Sequence, residues 1–407
     1  MNDKVKYFKW TACIILLVLL IGFPFTSFSQ TKDKIRFGTA IGLSGPYAPG
    51  AKMTQTTVYD LWVSDVNAKG GIYLKSLNKR LPVELITYDD KSDIGTTVKL
   101  AEKLILEDKV DMLLAPWGTA ANMAVAPITH KYGYPFILIS CSSEKLREVI
   151  HTLPNCSVIL NQPRDQGGDL IELLKEFNLQ KVAIIYVADL HGIEFAGFTA
   201  PKLGVAGIDV TILKSYPLGS KDLMPILKQI KAADVDALIG FSYPPDTHLI
   251  TEQAKVLQLN PKAVYLSVGV AHPPYKYKFG AETIEGVMGP GAWSLKTPYP
   301  GIKEFVESYK KRYNSDPDWW GGIITYSALQ IHQQAIEKVG AIDHKKIGKV
   351  FATETFPTMM GPVKFVQGFN IQFPGNIGQW QKGNFEVIMP KDKRTAPPLF
   401  PKPPWPN

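Results

Sequence analysis

Four short stretches concentrate the groups that could do chemistry. Gly42-Leu43-Ser44-Gly45-Pro46-Tyr47-Ala48 is a glycine and proline turn that runs into a helical pattern. Ala115-Pro116-Trp117-Gly118-Thr119-Ala120-Ala121-Asn122 and Ser140-Cys141-Ser142-Ser143 each set hydroxyls and backbone N–H groups between a strand end and a helix start. Such a place favours a carboxylate or another anionic group. Thr119 and Ser142 could equally cap their helices, and capping does not exclude binding. The fourth stretch is Gly240-Phe241-Ser242-Tyr243-Pro244-Pro245-Asp246.

Catalytic readings of the same loops fail on spacing. The first turn lacks both Gly-Lys-Ser/Thr and Gly-x-Gly-x-x-Gly, which speaks against a bound nucleotide. Ser242 sits between strand and helix as a hydrolase nucleophile would, but Pro244 stands where Gly-x-Ser-x-Gly needs its second glycine. His130, His151, His191, His248, His272, His332 and His344 show no metal-ligand spacing, and no cofactor motif is present. Asp89-Asp90 reads as the polar end of a strand, solvated or capping a helix.

The elements that must position these loops alternate. Short β-rich runs cover 35–42, 81–88, 110–115, 135–140, 182–187, 208–216, 235–240 and 263–268. Ile94, Val98, Ala101, Leu104 and Ile105 share one helical face, as do Ile302, Phe305, Val306, Tyr309 and Tyr313. Lys69-Gly70-Gly71 ends the helix that begins near Ala51. Repeated strand, helix, strand predicts α/β architecture with parallel sheets covered on both faces, and ligands in such sheets sit beyond the carboxyl ends of the strands. After about Val287 the pattern turns helix-rich and then returns to short strands, as in a chain that crosses between two lobes more than once. The proline-rich segment 391–407 is expected to be an extended or loosely attached tail.

The beginning of the chain has the order of an export signal. Lys4, Lys6 and Lys9 precede the apolar run Ala12 to Ile21, Gly22 and Pro24 break it, and Ser27-Phe28-Ser29 offers small residues for cleavage before Gln30. The run is too short for a membrane anchor, and Cys13 lies at its front, where it cannot become a lipidated first residue. A periplasmic destination follows. Removing Lys4, Lys6, Lys9 and Asp3 lowers the formal charge from +8 to +6, scattered and without a basic aromatic stripe, so nucleic acid is not an expected partner. About 375 residues then remain, enough for two lobes. Cys141 and Cys156 could close a disulfide loop worth roughly 3 kcal/mol, or be two small buried thiols.

Taken together, Gly42-Leu43-Ser44-Gly45-Pro46, Asn67-Ala68-Lys69-Gly70-Gly71-Ile72, Tyr88-Asp89-Asp90, Trp117-Gly118-Thr119, Tyr134-Pro135, Thr325-Tyr326-Ser327-Ala328 and Gly361-Pro362 resemble one family in order and spacing. It is the type I periplasmic solute-binding proteins of the branched-chain amino-acid (Leu/Ile/Val-binding) group of ABC transporters. The resemblance runs from Ile35 to about Val387 and implies two doubly wound lobes joined by a three-strand hinge. It divides the chain into a signal peptide (1–29), lobe 1 (35–157 plus 289–360), lobe 2 (158–288 plus 361–390) and the tail (391–407).

The same resemblance implies a non-enzymatic monomer that captures a small amino acid, organic acid or amide and docks on an ABC permease with its ATPase. An extracytoplasmic sensor acting through a docked signalling partner is the alternative. Thr119, Ser140 and Ser142 fall where such proteins hold a ligand carboxylate, with Trp117 and Tyr47 alongside. His191 takes the place of an aromatic from the second lobe, and Tyr243 and Asp246 lie in a loop with further contacts. Amino-acid binders usually carry an acidic residue after the strand Tyr265-Leu266-Ser267-Val268, where this chain has Gly269. Either Asp246 then meets a ligand ammonium, or the ligand has no α-amino group and suits Trp117 and His191 as a planar carboxylate or amide.

Overall fold

The computed structural model describes residues 32–406, so the expected signal segment and its Cys13 lie outside the described residues. Strand Ile35–Ile41 lies between Val83–Asp89 and Met112–Leu113 and runs parallel to both. Beside this group stands a five-stranded sheet in the order Thr355–Thr358, Gly361–Val366, Phe369–Asn370, Cys156–Val158, Phe136–Leu138. These strands build the first lobe. A seven-stranded sheet builds the second, with Met288–Pro290, Ala263–Leu266, Ala237–Phe241, Lys181–Val187 and Asp209–Tyr216 in parallel. The antiparallel hairpin Ile377–Gln381 and Asn384–Met389 closes one of its edges.

Helix starts and faces follow the sequence pattern. Asp93 accepts from Thr96 N and caps the helix Ile94–Leu106, whose Ala101, Leu104 and Ile105 are buried. The helix Thr57–Ala68 ends at Lys69, with Gly70 and Gly71 both at positive φ (87° and 93°) and Gly71 N donating to Val66 O. Trp62 from this helix meets Phe37 edge-on, ring centroids 5.3 Å apart, at the centre of the first lobe's core. In the second lobe, Leu170, Leu173, Ile184, Phe195 and Phe241 form a separate apolar cluster.

Three expectations need correction. Residues 361–370 do not join lobe 2: Gly361–Val366 pairs with Phe369–Asn370, and Phe369 pairs with Val158, so these residues extend the first lobe's sheet. The chain therefore changes lobe after Val158, after Pro290 and again between Asn370 and Ile377. The proline-rich tail is extended but not loose. Leu399 N donates to Gln379 Oε1, Lys402 N to Lys262 O, and the buried Trp405 gives its indole N–H to Leu259 O at 2.6 Å. Phe400 stacks on Phe177 at 4.2 Å.

The disulfide is also absent. Cys141 and Cys156 are free and buried. Phe136 is the register partner of Cys156, which places Cys141 past the far end of that strand. Cys141 Sγ faces Thr119 O at 3.8 Å, whereas Cys156 Sγ faces Ala126 O at 3.8 Å. The two thiols thus face carbonyls on different turns of the helix Thr119–Lys131 and are not bonded to each other. Burial pushes both thiols up, Cys156 to about 12, so neither is reactive at neutral pH.

Two measurements check these corrections. Trp405→Ala should cost about 3 kcal/mol in urea denaturation, through the lost indole packing and its hydrogen bond; an unchanged midpoint would mean that the tail does not dock. In the unreduced, denatured protein, Cys141 and Cys156 should both titrate as free thiols.

Candidate ligand-binding site

The loop before Tyr47 is held by one carboxylate. Asp89 Oδ1 accepts from Leu43 N (2.9 Å) and Ser44 N (3.1 Å), and Oδ2 accepts from the Ser44 hydroxyl (2.7 Å). Against a desolvation that raises it, these bonds and Lys91 N hold the Asp89 carboxyl below its ordinary value. Ser92 Oγ accepts from Tyr47 N at 3.0 Å and completes the turn. The acidic pair is thus a loop brace, and Asp93 is the helix cap. The loop delivers Tyr47, and behind it Trp117 lies directly on Gly50, where a Cβ would come within 2.2 Å of the indole. The indole N–H donates to Thr54 Oγ1 at 2.9 Å, so the ring has one position.

The hydroxyls expected to hold a carboxylate are spent on the loops themselves. Ser140 Oγ accepts from Gly118 N (2.9 Å) and donates to Gln55 Oε1 (3.0 Å). Thr119 Oγ1 accepts from Ser142 N (3.3 Å), and Ser142 Oγ donates to Asn161 O (2.9 Å). What these bonds build is the start of the helix Thr119–Lys131. Gly118, at φ 98°, occupies the N-cap and offers no side-chain acceptor, so the first-turn N–H groups are left for another acceptor. Gly118 and Thr119, at this helix start, line a cavity together with Ser140 and Ser142. The indole N–H of Trp320, also on this cavity, is buried without a hydrogen-bond partner.

From the second lobe, His191 Nε2 pairs with Ser267 Oγ at 2.8 Å, and burial pushes the imidazole down to about 4, so it is neutral. Tyr243 stacks on His191 (5.3 Å, 21°) and meets Trp117 at 5.1 Å and Tyr47 at 5.5 Å across the cleft. One carboxylate ties the two sides together: Asp189 Oδ2 accepts from Tyr243 OH (2.6 Å) and from Tyr47 OH (3.0 Å), while Oδ1 accepts from Leu190 N (2.7 Å). Further along the same helix, Glu194 accepts from Glu144 N (2.9 Å) of the first lobe. The cleft is closed, and the cavity inside has a volume of about 20 Å³, little more than one water needs.

Of the residues expected at the site, Trp117, Thr119, Ser140, Ser142, His191 and Tyr243 line this cavity, and Tyr47 stands at its rim through Asp189. Asp246 and Gly269 do not line it. Asp246 Oδ2 accepts from Tyr243 N at the start of the helix Pro244–Val256, and burial raises its carboxyl to about 6. Gly269, at φ 116°, backs onto Pro244, where a Cβ would lie 2.8 Å from Cα, so an acidic side chain has no room there. Ser242 is buried with its hydroxyl on Thr247 Oγ1 at 2.7 Å, with no base beside it. Sequence reasoning missed Asp189, Gln166 and Trp320. Asp189 could have been found, since it follows a strand and caps the next helix. The cavity lining contains no Asp, Glu, Lys or Arg. A second, larger cavity of about 810 Å³ lies behind the crossing segments, lined by Arg147, Asp169, Phe369 and Asn376 among others, and shares no residue with the cleft.

The bond across the cleft is measurable. In a double-mutant cycle of Tyr47→Phe with Asp189→Asn, read by denaturant unfolding, the coupling should be about 1.5–3 kcal/mol, as for a hydrogen bond to a charged group. Additive effects would mean that the two side chains do not meet.

Comparison with known proteins agrees with this architecture. A sequence model described as periplasmic binding protein matches residues 34–384. Among curated relatives, a Leu/Ile/Val-binding protein homolog (homolog 7) of Brucella suis is 23% identical over 393 residues, covering 92% of this chain and 96% of the relative. A branched-chain amino-acid transporter substrate-binding protein of Streptococcus pneumoniae, solved with isoleucine, superposes with TM-score 0.76 at 20% identity, covering 88% of this chain and 100% of that one. A solute-binding protein of an ABC transporter from R. palustris, solved with benzoate, superposes with TM-score 0.74 at 18% identity, covering 90% and 97%. At these identities the solved structures speak to the fold alone.

Proposed function

Given that this chain belongs to the periplasmic binding protein family, we propose that it captures a small carboxylate or amide with a planar, aromatic body and no α-amino group. It does so in the periplasm, as a monomer, by closure of its two lobes, and presents the ligand to an ABC permease with its ATPase. The observation that carries the ligand class is the lining: aromatic rings, an uncapped helix start and a neutral imidazole, with no charged side chain. Helix-terminal N–H groups favour a carboxylate. A buried ammonium would find no carboxylate partner here, which costs several kcal/mol. The benzoate held by the R. palustris protein supports this reading more than the isoleucine held by the S. pneumoniae one.

Closure needs a ligand that binds the closed form better than the open one. Trp117 from the first lobe and Tyr243 and His191 from the second supply that difference when a ligand ring lies between them in place of their direct contact, since only a shut cleft brings both sides onto one ligand. Among the described residues no helix is long and apolar enough to cross a membrane. The neutral lining makes the test a comparison of ligand classes. In a thermal-shift panel of benzoate, hydroxybenzoates, benzamide, leucine and phenylalanine, the benzoates or benzamide should raise the melting temperature. A ligand at a hundred times its Kd adds about 2.7 kcal/mol. Trp117→Ala should abolish the shift, and stabilisation by the amino acids alone would overturn the proposal.

A further inference from the structure

Gln166 lines the cleft cavity, while Asp169, on the next turn of the helix Pro163–Glu176, lines the larger cavity behind the hinge. Side-chain amides on two of the crossing segments join them. Gln166 Nε2 donates to Asn161 Oδ1 at 2.6 Å, Asn161 Nδ2 to Asn376 Oδ1 at 2.7 Å, and Asn376 Nδ2 to Asp169 Oδ2 at 2.7 Å. Gln166, Asn161 and Asn376 are buried. Every bond points the same way, and the reason lies at one end. An ionised carboxylate only accepts, so Asn376 must turn its NH₂ to Asp169 and its oxygen to Asn161. Asn161 must then turn its oxygen to Gln166, whose NH₂ is spent on it.

We propose that Asp169 is a positioning residue that sets the polarity of this chain, so that Gln166 faces the cleft with its carbonyl oxygen and selects ligands carrying a hydrogen-bond donor. Protonated Asp169 can itself donate, to Asn376 Oδ1, and the three amides can then all reverse, turning the Gln166 NH₂ to the ligand. The reversal falls in an accessible pH range. Desolvation raises the Asp169 carboxyl to about 6, opposed by the Asn376 bond and assisted by Glu172, Asp165 and Asp392. Of the cations lining the same cavity, Arg164 is committed to Glu144, Lys393 pairs with Asp392, and Arg147 lies over the Phe369 ring; Lys391 beyond it pairs with Glu172.

The selectivity half of this inference rests on the cleft being the ligand site, whereas the chain itself needs no ligand to be tested. In the ligand-free protein, the side-chain NH₂ resonances of Asn376, Asn161 and Gln166 should move together between pH 7.5 and 5 with one midpoint near 6. In Asp169→Asn, which keeps the shape of the side chain, that titration should vanish. A Gln166 amide that does not follow Asn376, or a titration that persists in Asp169→Asn, overturns the proposal. For the ligand half, the best of the three hydroxybenzoate isomers should bind wild type several-fold to tenfold more tightly than benzoate at pH 7.5. That preference should collapse at pH 5 in wild type, and in Asp169→Asn, whose amide can donate as the protonated acid does, it should be weak at both pH values; a wild-type preference unaffected by pH would overturn it. If no benzoate binds at all, the ligand class falls, and the amide titration still decides the chain.

Discussion

The carboxylate of Asp189 receives a hydroxyl from each side of the cleft, Tyr47 from the first lobe and Tyr243 from the second. Asp189 is half-buried, and besides Leu190 N its donors are these two phenols. Burial first, and then Asp189 itself, push the Tyr243 and Tyr47 hydroxyls far up, so they remain neutral donors at any working pH. The arrangement can form only when the cleft is shut. Once formed, it brings Tyr47 and Tyr243 edge to face, with Trp117 tilted against both, and leaves the carboxylate itself outside the cavity lining.

The chemistry of the cavity follows. With no charged side chain in the lining and Asp189 taken up by tyrosines, the cavity has only dipoles to offer: helix N–H groups at Thr119, the indole N–H of Trp320, a neutral His191 and the amide of Gln166. Such a site holds a carboxylate through N–H groups and a ring through aromatic faces. Specificity is then a matter of which dipole points where, and the amide chain through the hinge gives that orientation a cause outside the cavity. The proposed amide chain would thus tie recognition to hinge geometry, since Asn161 and Asn376 stand on segments that cross between the lobes.

Much of this was legible in the sequence because strand-end loops announce themselves. Trp117, Thr119, Ser140, Ser142 and Tyr243 stand in loops that follow strands, His191 comes from the family resemblance, and all six line the cavity. The role of a hydroxyl was not legible: whether Ser140 Oγ meets a ligand or Gly118 N depends on a loop far away in sequence. Asp189 reads locally as an ordinary helix cap, and only the folded lobes show its second oxygen reaching Tyr47. Gln166 gives no local signal, since its meaning comes from Asn376 across the hinge. The same limit explains the tail, where proline composition signals an extended chain but not the Trp405 pocket, and residues 361–370, whose hairpin pattern does not say which sheet it joins.

The Asp189 link between the lobes is tested most directly by the distance across the cleft, read by spin labels at Leu106→Cys in the first lobe and Val256→Cys in the second, both exposed positions. With saturating benzoate, a single short-distance population is expected in the otherwise wild-type protein, and a broad, longer one when Asp189→Ala is added. Identical distance distributions with and without Asp189 would contradict it.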